Sequence, residues 1–398
     1  MTIPVLRASS PPARAMLRPE NRKRSRRGKK GTISGPRARH LSTSGSTLLE
    51  LRIPVLESDA PDFLVFVNAR SKHTTSLLYR EGPLQAEFES LVKRSTAAWK
   101  RIQPEYAERG TFDENFSRNA TRLRYSMSIQ EVIYNRQFWF FQLRDSFLNQ
   151  KTFRKWDPSQ LDHYVLLPLD YGFVNNADCV FVSHYWRTKD HPDPHGIDLD
   201  QFQRDLGMAD GDWSGEWSFI WVDWTCMPQS PRTPDQKRYF RRMLRCISML
   251  CRDCCMSWRF PDFRPRAWVL AEIAEYCLTH RNHVVTDDNR KFINHLQEMV
   301  VFGVRPVLEK YDYKCTSESD MRLVTGWLEL DILIAQLLPG DHNVEYVQQI
   351  LDIINRPYVG SYQVQPLDNM LIDKAAGIIT YKGVKHHFTP IYDLSVDS

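Results

Sequence analysis

Cys179-Val180-Phe181-Val182-Ser183-His184-Tyr185-Trp186 decides the fold. Its first five residues form a continuous apolar run with β-branched members, too short for a helix, which reads as a strand buried on both faces. A polar loop follows, Lys189 to Gly196, and Asp198 to Leu206 has helical spacing. Phe219-Ile220-Trp221-Val222-Asp223 is a second buried-type strand. Beyond a Pro-containing loop, Asp235 to Cys255 reads as one long helix and Met256 to Phe260 as a third strand. Pro265 suits the start of a further helix, which runs to about Leu278. Strands alternating with helices imply an α/β core whose parallel sheet is covered on both faces. Cys179–Ser183 and Phe219–Asp223 are then expected to be adjacent parallel strands.

The flanks carry a different rhythm. Residues 84–150 read as helical, with Leu84, Phe88, Leu91, Ala98 and Ile102 on one stripe and a second helix from Ile129 to Phe147. Within it, Phe138-Trp139-Phe140-Phe141 is expected to be core. Leu48 to Leu56 and Phe63 to Val67 have β-type composition. Residues 288–355 read as all helical, and 356–398 as a mixed tail packing back on the body. The expected organisation is a disordered basic tail (1–47), an N-terminal strand and helical extension (48–164), the α/β core (165–285), a C-terminal helical region (286–355) and the tail (356–398).

Composition bounds the function. The chain has 398 residues, 42% hydrophobic and 25% charged, the balance of a globular protein. No apolar run approaches the ~18 residues of a membrane span, so no membrane partner is expected. Residues 1–40 hold twelve Lys or Arg and one acid, Glu20, whereas the rest holds 41 basic and 47 acidic side chains. The basicity is thus a property of the tail, and nucleic acid is not an expected partner of the folded body. The run Arg22 to Lys30 reads either as a nuclear localisation signal or as a solvated basic segment. Eight cysteines in apolar periodic segments, with no apolar leader, suit a reducing intracellular compartment, cytoplasmic or nuclear. Cys251, Cys254 and Cys255, with Cys277, His280 and His283, have zinc-like spacing, but they fall inside expected helices and read as core, so no metal is assigned. The loop from His191 to Gly196 reads as a rigid turn held by Asp190 or Asp193, with a metal as the alternative.

In an open parallel sheet, ligands bind outside the carboxyl ends of the strands. Three segments meet there: Ser183-His184-Tyr185-Trp186, Asp223-Trp224-Thr225-Cys226-Met227-Pro228-Gln229, and the helix opened by Arg266-Ala267-Trp268-Val269-Leu270-Ala271-Glu272. On that helix, at about 100° per residue, Leu270, Ile273, Ala274, Cys277 and Leu278 share a stripe. Trp268, Glu272 and Glu275 lie off it. The alternatives are a carboxylate facing a cleft, or a Trp packed under the C-terminal helices beside a surface charge.

These three blocks resemble those of the fungal heterokaryon-incompatibility (HET) domain, which read approximately Leu-Ser-Tyr-x-Trp-Gly, Trp-Ile-Asp-x-x-Cys-Ile-x-Gln and Arg-Ala-Trp-Thr-x-Gln-Glu. Their order is similar to that of TIR domains, and the resemblance covers about residues 177–280. Arg187, Pro228 and Ala271 depart from the pattern. The resemblance implies a flavodoxin-like, TIR-like sheet and an effector of self/non-self recognition or stress response, switched on by self-association into a homo-oligomer. It further implies cleavage of NAD, as substrate, at the nicotinamide–ribose bond, with Glu272 catalytic. Ser183, His184, Tyr185, Trp186, Asp223, Trp224 and Trp268 would surround the dinucleotide. Tyr185, Trp186 and Trp224 would stack on its rings, and Asp223 would bond a ribose hydroxyl or cap the next loop. The alternative function is a non-catalytic assembly module, or an accessory protein of a fungal pathway.

Overall fold

The structure, a computed structural model, describes residues 83–102, 111–170, 172–207, 217–280, 283–338, 344–355, 359–364, 367 and 370–391. All lie within one compact unit, Leu77–Ser398. The expected basic tail, the run Arg22 to Lys30 and the β-type segments Leu48–Leu56 and Phe63–Val67 lie outside the described residues.

The unit opens with α1 (Pro83–Ile102) and α2 (Thr111–Tyr125). Phe88, Leu91, Ala98, Trp99 and Ile102 make the buried stripe of α1. α3 (Ile129–Asn135) is capped by Ser128, whose hydroxyl accepts from the Glu131 amide. It ends at Arg136, which takes a φ of 53° and turns the chain out of the helix. The helix expected from Ile129 to Phe147 is therefore cut short. Phe138-Trp139-Phe140-Phe141 belongs instead to β1 (Phe138–Leu143), buried as expected but as a strand. No Gly or Pro marks this break, so apolar content alone carried the helical reading through it.

After α4 (Arg144–Leu148), β2 (Tyr164–Pro168) pairs antiparallel with β1, Phe140 opposite Leu166. As an edge strand it would expose unpaired backbone groups, and α1 covers them. Ser95 Oγ accepts from Leu166 N (2.9 Å), Trp99 Nε1 donates to Leu166 O (2.6 Å), and Arg94 Nε donates to Tyr164 O (2.8 Å).

The alternating region then runs β3 (Cys179–His184), α5 (Ile197–Gly207), β4 (Phe219–Trp221), α6 (Asp223–Cys226), α7 (Pro234–Arg245), α8 (Ile247–Asp253), β5 (Cys255–Arg259) and α9 (Ala267–Thr279). The sheet order is β2-β1-β4-β3-β5. β3 lies parallel to β4, with Val180 opposite Ile220, and parallel to β5, with Ser183 opposite Trp258. The expected parallel pair is present, but β1 runs antiparallel to β4, so the sheet is mixed. A run buried on both faces looks alike in either direction, which is why its sequence did not betray β1. The fold is α/β.

The single helix expected from Asp235 to Cys255 is two. α7 starts in a capping box of Thr233 and Gln236 and stops at Cys246, where the amide turns back to Met243 O (2.9 Å). Tyr239, Met243, Ile247 and Cys251 are all buried. Their even spacing of four continues across the junction and hides it from a periodicity reading.

Beyond α9 the chain forms α10 (Arg290–Phe302), α11 (Val304–Lys310), α12 (Glu318–Leu337) and α13 (Val344–Ile354). The expected mixed tail is a four-stranded antiparallel sheet of β6 (Ser361–Val364), β7 (Met370–Asp373), β8 (Ile378–Tyr381) and β9 (Val384–His387). Lys382 and Gly383, at φ 50° and 78°, form the two-residue turn between β8 and β9. This sheet packs on α12 and α13 through Leu330, Ile334, Ile350, Met370, Ile372 and Ile379. Among the described residues no helix is long and apolar enough to cross a membrane.

Candidate functional site

β3 brings Ser183 and His184 to its carboxyl end, and β4 leads directly into Asp223 at the first turn of α6. α9 follows β5 and lies across the same rim, between β3 and the helices α8, α10, α12 and α13. Glu272, one turn into α9, reaches over the sheet end. Ser183 Oγ donates a short hydrogen bond to Glu272 Oε2.

Glu272 is half-buried, and burial pushes its carboxyl up to about 8. The bond from Ser183 opposes that rise, and the nearby charge of Asp223 adds to it. At neutral pH the group holds its proton more often than not. The site thus pairs one protonated carboxyl with a second carboxyl from a neighbouring strand end.

Asp223 is held in place by its surroundings. Its Oδ1 accepts from the Trp224 amide (2.6 Å) and its Oδ2 from Trp186 Nε1 (2.8 Å). Gln229 Nε2 donates to its carbonyl (2.8 Å). The carboxylate is thus held by the next residue's amide and the Trp186 indole, and its side chain keeps 40% exposure. His184 is buried beside it, its ring tilted against Phe153 at 5.0 Å. Neither of its ring nitrogens has a hydrogen-bond partner, and Nε2 lies 3.6 Å from Asp223 Oδ1.

The aromatic residues divide. Tyr185 is buried and its hydroxyl donates to Arg264 O and accepts from Arg264 N (both 2.9 Å), which pins the β5–α9 loop to β3. Trp224 is buried between Trp186 (5.2 Å) and His191 (5.3 Å), with Lys155 Nζ over its ring at 5.4 Å. Trp186 and Trp268 are half-buried. Trp268 lines a small pocket together with Cys251, Glu272, Glu275, Trp327 and Asp331. Glu272 is the residue common to the strand-end rim and this pocket.

Two groups of residues around the rim support the site. Arg187 and Arg259 both bond Asp198 (Nε to carboxylate oxygen, 2.7 and 2.8 Å), tying the ends of β3 and β5 to α5. Asp193, fully buried, accepts from the amides of Ile197, Asp198 and Leu199 (3.1, 2.8 and 2.9 Å) and so anchors α5. This is the rigid turn expected of that loop. The second group is ionic. Glu275, expected beside Glu272 on the outer face of α9, is 2% exposed and paired with the wholly buried Arg252. The helical angle was right, but α12 and α13 cover that face. A sequence signal existed: Asp331 sits among Val324, Leu328 and Ile332 at buried-stripe spacing.

Cys179, Cys226, Cys246, Cys251 and Cys254 are buried, Cys255, Cys277 and Cys315 partly so, and none of the eight forms a disulfide. Burial pushes the thiols of Cys226 and Cys277 up to about 12, where they are poor nucleophiles at neutral pH. Among the described residues no three His, Cys, Asp or Glu are grouped so as to hold a metal ion.

No protein-family model, no curated protein and no solved structure matches this chain.

Proposed function

We propose that the rim at the ends of β3 and β4 is a TIR/HET-like site that cleaves NAD at its nicotinamide–ribose bond, within an effector switched on by self-association. The observation that carries the reading is the convergence of Ser183, Asp223 and Glu272, from three separate elements, at one strand-end rim. A second observation supports it. Along the sheet the three parallel strands stand in the order second, first, third (β4-β3-β5), as in the first three strands of flavodoxin-like sheets, where ligands bind at the crevice beside the first strand.

In this reading the bond from ribose C1′ to the nicotinamide nitrogen breaks with its electron pair passing to the ring, which leaves neutral. Positive charge builds on the ribose, and ionised Glu272 stabilises it until water attacks. Ser183 orients the carboxylate by the bond it already donates. Asp223 is placed to accept from a ribose hydroxyl, and Trp186 offers a half-buried ring to a base. Nicotinamide needs no general acid, so the site requires Glu272 to lose its proton.

That requirement gives the test. Purified full-length protein, assayed for NAD loss at increasing concentration, should turn over with a rate that rises with pH toward about 8, the value to which burial raises Glu272. Glu272→Gln should lower the rate by on the order of 10²-fold or more. A wild-type rate that is flat across this range refutes the role of Glu272.

One observation favours the alternative of a non-catalytic assembly module: Ser183, His184, Tyr185 and Trp224 are all buried, and the Glu272 carboxyl is already occupied by Ser183. Absence of NAD turnover at every concentration, with self-association intact, establishes that reading instead.

A further inference from the structure

α7 carries its charge on one side. Lys237, Arg238, Arg241, Arg242 and Arg245 fall, at about 100° per residue, within an arc of about 140°. Tyr239 and Met243, on the opposite side, are buried. Lys237, Arg238 and Arg241 are exposed, and Arg242 and Arg245 half-buried. Asp235, the only acid of the helix, pairs with Arg238, so the basic side chains far outweigh it. Among the described residues Arg242 Nε has no hydrogen-bond partner.

α3 packs against α7 and adds exposed rings to the cations. Tyr134 of α3 is 60% exposed, with the Arg238 guanidinium over its ring at 6.0 Å. Tyr125 and Met127, at the turn from α2 into α3, are more exposed still. Glu131, the one acid of α3, is engaged by the Met127 amide (2.7 Å). The summed charge of the chain beyond residue 40 is acidic, and that sum conceals this local basic face.

We propose that the joint face of α7 and α3 binds single-stranded nucleic acid. Four of the five cations are arginines, whose planar fork matches phosphate oxygens. Exposed tyrosine rings beside them offer platforms on which unpaired bases stack. A face built for an anionic bilayer would set Trp, Phe or Leu among its cations, whereas the large apolar side chains exposed here are two tyrosines and a methionine. An acidic peptide would answer the arginines but leave the rings without a partner.

Strand binding at this face is independent of NAD cleavage, and its test contains no NAD. The full chain is titrated with labelled oligothymidylate and oligouridylate of about 16 nucleotides, by fluorescence anisotropy at several salt concentrations. The basic segment 1–40 is present in every variant, so differences between variants report on the folded face. Replacing Lys237, Arg241 and Arg242 together by Gln should weaken binding tenfold or more at low salt. It should also lower the slope of log affinity against log salt by about 2, because each phosphate contact to a single strand contributes about 0.7. Removing as many charges elsewhere, at the exposed Arg290, Lys291 and Arg322, should leave the slope near that of wild type. Tyr134→Leu, at an exposed position, should weaken the single strands about tenfold and a duplex of the same length hardly at all. The tighter of the two oligonucleotides identifies the strand as DNA or RNA. Binding that either the triple variant or Tyr134→Leu leaves unchanged overturns the proposal. So does sedimentation with phosphatidylserine vesicles in place of strand binding, which would assign the face to a membrane.

Discussion

Glu272→Gln should make the protein more stable, by an amount that depends on pH. The side chain is half-buried and its carboxyl is raised from 4.5 to about 8 in the folded protein. The sign follows from linkage. Below about pH 4.5 the acid is protonated whether folded or not and contributes its full native stability. As pH rises toward 8, the unfolded chain ionises freely while the folded chain must keep the proton or bury a charge, so stability is lost across that window. A rise of this size corresponds to about 5 kcal/mol, and the partial exposure of Glu272 reduces what is realised to about 2–4 kcal/mol. Glutamine keeps the volume and an oxygen to accept from Ser183, so the variant lacks only the ionisation. Urea unfolding followed by tryptophan fluorescence, at intervals from pH 4 to 9, gives the free-energy difference between the two proteins. Asp253 and the other raised acids are present in both and largely cancel. The variant should match wild type near pH 4 and exceed it increasingly up to pH 8, then level off. A difference that stays flat across this window would show that Glu272 ionises freely and refute the buried, protonated carboxyl.

Two further perturbations test the joint between core and C-terminal region. Arg252→Met strands the buried carboxyls of Glu275 and Asp352 and should cost about 3–5 kcal/mol in urea unfolding, whereas replacing all three with apolar residues should recover most of the loss. Gly326→Ala places a methyl group against Ile391 Cγ2 and Thr389 O, where the segment after β9 crosses α12; it should cost about 1–3 kcal/mol, read as a lowered thermal midpoint.

The elements readable in the sequence are those whose burial imposes a period. β3, β4 and β5 are short apolar runs between turn signals, and each lies where its run predicts. The breaks that were not readable are backbone events made by ordinary residues. Arg136 in a left-handed conformation ends α3, and a tightened turn at Cys246 divides α7 from α8. β2 escaped notice because its edge is completed from a distance, by Ser95 and Trp99 of a helix about 70 residues upstream.

The site was legible to the same extent, and its limits have the same cause. Periodicity gave the angle of Glu272 and Glu275 on α9 correctly but could not tell what lies opposite each. Glu272 meets Ser183 at the end of β3, whereas Glu275 meets Arg252 under α12 and α13. A helix packed on one side has a solvated face, and its charges need no partner. α9 is packed on all sides, so each of its acids must find one, and each finds it on a different element. The consequence is mechanical as well as electrostatic. Glu272 faces the strand ends, yet it shares a small pocket with Trp327 and Asp331, so any change in how the C-terminal helices seat on α9 alters the burial that holds its proton.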